Sequence, residues 1–194
     1  MALIKTSAQG LTADATNLVL LNTTTVSSAT SSVDFDSSLI TDTYKTYKMV
    51  VSDVVGATDS NTLCLRLSAD NGSNITSSGY NRALALVNDG TSSNSIVTRG
   101  GDANQNNIFL AGDVSLASNV STETMNCDVT LYGLRDTAFK KVVSITSYTT
   151  DTSRNAVGLF SGELQNSANI NFVRILMSSG NITKGRFTLY GVKS

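Results

Sequence analysis

The chain has 194 residues, 40% of them hydrophobic and 15% charged, with a formal net charge of −1 and no His, Pro or Trp. That length holds one domain with a sizeable core, and the composition is not that of a disordered chain. The near-zero charge gives no electrostatic drive toward nucleic acid or an anionic membrane, no apolar run is long enough to span a bilayer, and the missing His removes the commonest general base and metal ligand.

The first six residues lack the basic-then-apolar order of a signal peptide, so synthesis in the cytoplasm is the expectation. In residues 1–32, Leu3, Ile4, Leu11, Leu18, Val19, Leu20 and Leu21 lie scattered among Thr, Ser, Ala and Asn with no helical period. This stretch reads as an extended docking arm with one short strand at 17–22, and its apolar residues are the candidates for assembly contacts.

From residue 33 to 194 the period is mostly two, and the segment is read as one antiparallel β-sandwich domain. Val33 and Phe35 alternate with Asp34 and Asp36. Tyr47, Met49 and Val51 alternate within 45–55, and Leu63, Leu65 and Leu67 share one face opposite Cys64 and Arg66. Asp70-Asn71-Gly72 supplies residues that tolerate positive φ, so a tight turn belongs there. A strand at 80–87 meets a second turn signal at Asn88-Asp89-Gly90. Weaker strands are expected at 95–98 and 108–116, with Gly100-Gly101-Asp102 as a loop between them. Strands at 125–132, 141–149, 156–160, 170–177 and 186–192 complete roughly ten in all, the last two expected to pair as a hairpin around Ser179-Gly180-Asn181. Thr130-Leu131-Tyr132-Gly133 recurs as Thr188-Leu189-Tyr190-Gly191, as two core strands obeying one pattern would, with duplication as the alternative. With no Pro and few charges to blunt sheet edges, β-rich uncharged segments such as 142–148 are expected to be covered by the arm or another subunit.

Candidate chemistry is sparse. Asp34 and Asp36 share a strand face at a spacing that could serve two-carboxylate hydrolysis, but both fall where a strand turns its polar side to water. The oxygen-rich 70–74 run lacks the spacing and closing Glu of a calcium loop, and Gly100-Gly101 has no phosphate-loop continuation. No G-x-S-x-G elbow is present. Cys64 and Cys127 have no CxxC spacing and read as small buried thiols. No catalytic, metal or cofactor site is therefore assigned. Tyr80, after Ser77-Ser78-Gly79, and Tyr148 are the candidates for a sugar-stacking ring.

Thr43-Tyr44-Lys45-Thr46-Tyr47-Lys48-Met49-Val50-Val51, then 63–73, then Ser78-Gly79-Tyr80 resembles a module of virion proteins of tailed bacteriophages. The C-terminal 179–193, ending Phe187-Thr188-Leu189-Tyr190-Gly191-Val192-Lys193, is similar to the closing strand of the same group. The resemblance covers about half the chain, mainly 43–90 and 169–194. It implies a jelly-roll-like sandwich without catalytic residues, found as capsid-surface decorations or tail-fibre pieces and often trimeric. The expected function is thus a non-enzymatic virion structural protein, a capsid decoration or cement protein at the virion surface. The alternative is a tail-fibre module that attaches to the tail and contacts host glycans. The expected partners are sister copies in a homotrimer and the major capsid or tail proteins of the same virion, with a host glycan as a further ligand and no nucleic acid or membrane.

Overall fold

The structure, a computed structural model, describes residues 17–88, 95–112, 119–150 and 155–193. β-branched and aromatic residues at alternate positions build strands throughout, and no helix occurs among the described residues. In chain order the strands are β1 (Leu18–Val26), β2 (Val33–Phe35), β3 (Thr46–Gly56), β4 (Leu63–Ser68), β5 (Tyr80–Asn88) and β6 (Ser95–Gln105). They continue with β7 (Ile108–Ala111), β8 (Met125–Tyr132), β9 (Lys140–Thr149), β10 (Asn155–Leu164), β11 (Phe172–Met177) and β12 (Ile182–Val192).

Two antiparallel sheets pack face to face. The larger runs β1-β12-β3-β8-β9-β10-β5-β6 and the smaller β2-β11-β4-β7. Setting aside the hairpins β5-β6 and β9-β10, what remains is β1-β12-β3-β8 over β2-β11-β4-β7, the strand order of a jelly roll. The two hairpins are insertions that double the width of one sheet and leave the other unchanged.

Register explains what lies between the sheets. On the larger sheet Tyr47, Met49 and Val51 of β3 align with Leu131, Val129 and Cys127 of β8 and with Gly191, Leu189 and Phe187 of β12. On the smaller, Phe35 and Val33 align with Val173 and Ile175, and these with Leu67 and Leu65. All of these except Gly191 join one hydrophobic core. Polar groups inside are paired: Ser144 Oγ on β9 donates across the sandwich to the carbonyl of Leu110 on β7, at 2.7 Å. At Gly162 on β10 the sheets approach so closely that an added Cβ would stand 2.3 Å from Ile108 of β7.

The Asp70-Asn71-Gly72 turn forms as its residues require, with φ of +57° at Asn71 and +85° at Gly72. Three expectations are corrected. The chain does not form a hairpin around Ser179-Gly180-Asn181: β11 lies in the smaller sheet and β12 in the larger, so this turn crosses the sandwich. Gly100-Gly101-Asp102 is not a loop but lies within β6. There Arg82 and Leu84, two apart on β5, face Asp102 and Arg99, three apart on β6, and the bulge accommodates the glycines. Finally, β7 ends at Ala111, with Gly112 following at φ +83°, and 113–118 lie outside the described residues. Asp89 and Gly90 also lie outside them, although β5 and β6 pair as the turn signal implied, Asn88 opposite Ser95.

Candidate functional site

The outer face of the larger sheet is the surface that departs most from an ordinary solvated one. Along the regular stretches of β12, β3, β8, β9, β10 and β5 every second residue points away from the core, and the pairings align these residues in rows. One row reads Thr188, Val50, Asp128, Ile145, Leu159 and Ala85 across β12, β3, β8, β9, β10 and β5. The next brings Ser147 beside Val157 and Val87. Ile145 is 61% exposed, Leu159 and Val157 50% each.

Ten large hydrophobic side chains are exposed among the described residues, and eight of them share this face: Leu18, Leu20, Val50, Val87, Tyr132, Ile145, Val157 and Leu159. The other two, Val120 and Phe139, lie in connections between strands. Scattered exposed hydrophobics are ordinary; here Ile145, Leu159, Val157 and Val87 adjoin one another, with Val50 across Asp128 and with Leu18, Leu20 and Tyr132 farther out on the same face. A shallow depression of about 380 Å³ runs through it, lined by Val50, Ser52, Asn126, Asp128, Ile145 and Val157. Asp128, Lys48 and Arg186 are exposed on the same face and form no ion pair among the described residues.

The arm residues are divided by the structure. Leu3, Ile4 and Leu11 lie outside the described residues. Residues 18–26 form β1, the outermost strand of the larger sheet, paired along β12. Leu18 and Leu20 stand on the outer face, opposite Val192 and Tyr190, while Val19 points inward and Leu21 packs against the core. The sequence signal for a strand at 17–22 therefore marks the start of an element that runs on to Val26.

Tyr80 and Tyr148 are buried and present no ring face to a ligand. The Tyr80 hydroxyl accepts from the Leu67 amide at 2.8 Å and donates to the Thr76 carbonyl at 3.2 Å, so it ties the β4–β5 connection to the core. Tyr148 occupies an inward position of β9 beside Met125 and Ala156. A Tyr at a strand end can equally point inward, and only the sheet pairing decides which.

The acids are similarly occupied. Asp34 accepts two bonds from Arg174, at 2.8 and 2.6 Å. Ser38 donates to Asp36 and holds its carboxyl below the usual carboxylate range. Asp70 accepts from Ser68 Oγ at 2.6 Å and from the Asn74 amide at 2.8 Å, which lowers its carboxyl to about 2. Cys64 and Cys127 are free and buried on strands of opposite sheets, and burial pushes both thiols up to about 12. Among the described residues no three His, Cys, Asp or Glu side chains come together as a metal site.

A second depression, also about 380 Å³, lies where β5, β6, β9 and β10 meet, lined by Asn81, Arg82, Asp102, Lys141, Ser161 and Glu163 among others. Arg82 bonds Asp102 at 3.2 Å and Gln105 at 2.8 Å while its guanidinium lies 3.7 Å over the Phe109 ring. Lys141 pairs with Glu163. The groove thus carries two cations and two anions in neutral pairs beside a hydroxyl and an amide.

The sequence reading missed the outer-face patch, although a signal for it exists. In β9 the inward positions are Val142, Ser144, Thr146 and Tyr148, while Val143 and Ile145 point outward. Apolar residues thus stand in both phases of this one strand, and that double phase is the sequence signal of an apolar outer face. Comparison of the chain with models of protein families, with curated proteins and with solved structures finds no match.

Proposed function

We propose that this chain is a structural protein of a tailed-bacteriophage virion, a decoration or cement protein made in the host cytoplasm and carried at the capsid surface. The observation that carries the reading is the outer face: eight exposed hydrophobics on one face of an antiparallel sheet form a surface suited to protein contact. The jelly-roll strand order and the resemblance of 43–90 and 169–194 to virion modules support it. The face and the N-terminal residues bury apolar area against sister copies and capsid protein, and many small contacts repeated over a particle add up to large avidity.

The second reading, a tail-fibre module that contacts host glycans, is favoured by the groove between β5, β6, β9 and β10. Its balanced donors and acceptors suit a neutral hydroxyl-rich ligand. Copy number separates the two readings. Quantitative mass spectrometry of purified particles of the encoding phage is expected to find hundreds of copies, and particles lacking the protein to burst at lower temperature. Tens of copies with lost host adsorption would support the fibre, and absence of the chain from particles would overturn both.

A further inference from the structure

We infer that the outer face of the larger sheet is covered by the same face of a second copy of this chain, in a twofold, sheet-on-sheet pair. The inference rests on the reading of that face as a docking surface and names its occupant.

The distribution of apolar surface is the first reason. An apolar face is best covered by another, and the other two exposed large hydrophobics of the described residues, Val120 and Phe139, stand apart in connections between strands. The only extended apolar surface these residues can offer is therefore the face itself. A contact of one patch with its own twin is isologous and closes as a dimer. The homotrimer implied by the family resemblance needs a second, different patch on each copy, because a threefold ring is built from heterologous contacts.

Size is the second reason. Seven strands with described side chains and four rows of outward residues cover roughly 600 Å² per copy at ordinary strand and residue spacings, counting the polar row of Lys141, Glu163 and Asn81 and the charged Lys48, Asp128 and Arg186 along with the apolar positions. Both copies together bury roughly 1,200 Å², above the ~1,000 Å² expected of a specific interface. Antiparallel sheets also stack face to face, at about 10 Å with strands nearly aligned or crossed.

Charge is the third. Asp128 stands among the apolar rows without an ion-pair partner among the described residues, and Lys48 and Arg186 on the same face are also unpaired. An acid left alone in a dry interface is costly, so the covering surface has to bring a cation. A second copy brings two. A strongly basic or strongly acidic partner would meet only one sign on a face that carries both.

The test uses the full chain. Sedimentation equilibrium of wild type is expected to give twice the chain mass at micromolar concentration. The variant carrying Ile145→Lys and Leu159→Lys should associate at least about tenfold more weakly, as for centrally placed contacts. Both positions are half-exposed or more, so the variant should keep the wild-type circular dichroism and melting temperature, and the milder Ile145→Ser should weaken association with less risk to the fold. A wild-type monomer, a trimer, or a dimer unaffected by the folded variants overturns the inference. Attachment of the same variants to phage particles is measured in parallel. If they fail to attach although wild type is monomeric, the docking reading stands and only the second-copy occupant falls. If they attach normally and wild type is monomeric, both fall.

Discussion

Individual side chains here are fixed by close approach more than by charge. Tyr44 lies flat on Gly191 of β12, where an added Cβ would come within 2.6 Å of three ring atoms, and its ring meets Tyr47 edge-on at a centroid distance of 5.8 Å. Gly191→Ala must therefore displace the ring. The expected cost is about 1–3 kcal/mol in urea denaturation, as for other overpacked sites. Combined with Tyr44→Ala, the same change should cost much less, and additive losses in that double-mutant cycle would refute the contact. The thiols give a second residue-scale prediction. Burial raises Cys64 and Cys127 from 9.0 to about 12, so native protein at pH 8 should leave both unmodified by a thiol reagent, and both should react once unfolded. The sign of the linkage follows. The unfolded thiols ionise first, so this contribution to stability is complete below pH 9 and is lost as pH rises from about 9 toward 12.

Turns and strands carry the next set of consequences. The Asp70 carboxylate gathers Ser68 and Asn74 across the turn that links β4 to β5, and its pKa is lowered from 3.8 to about 2. A depressed carboxyl stabilises the fold above its unfolded pKa and stops doing so as pH falls through the folded value. Wild type should thus lose urea resistance between about pH 4 and pH 2, and Asp70→Asn, less stable at pH 6, should show a flatter profile over the same window. Parallel curves would exclude this role for the turn. That turn was legible in the sequence because Asn71 and Gly72 tolerate positive φ by their own chemistry. The alternations of β3, β8 and β12 were legible for a similar reason, since burial of one face writes itself into every second residue. Partner choice was not. Ser179-Gly180-Asn181 turns the chain equally well within a sheet or across the sandwich, and it is the pairing of β11 with β4 and β2 that sets it apart from β12. Segment 142–148, which looked like a hazardous edge, is held in β9 between β8 and β10. Its Ile145 is exposed on the sheet face and not at an open edge.

At the scale of the molecule, the question is where the sandwich begins. Residues 1–32 carry a polar, scattered sequence typical of an arm, yet nine of them form β1 along β12, joined at its far end by the Lys193 amide donating to Asn17 at 2.8 Å. β1 closes one edge of the larger sheet, and Val26 enters the core at its inner end. The division of the chain into a docking arm and a domain from residue 33 therefore has a measurable consequence. A chain starting at residue 17 keeps β1 and serves as the reference. A chain starting at residue 33 leaves the edge of β12 with unpaired amides and carbonyls and uncovers the neighbours of Val26 and Leu21. Loss of the Val26 burial alone is worth about 1.5–3 kcal/mol, and the shorter fragment exposes apolar core residues beside an edge that β1 otherwise pairs. The shorter fragment should melt lower and aggregate on storage, and a synthetic 17–27 peptide should restore its solubility by refilling the edge. Were the fragment from residue 33 as stable and as soluble as the chain from residue 17, β1 would be dispensable to the fold.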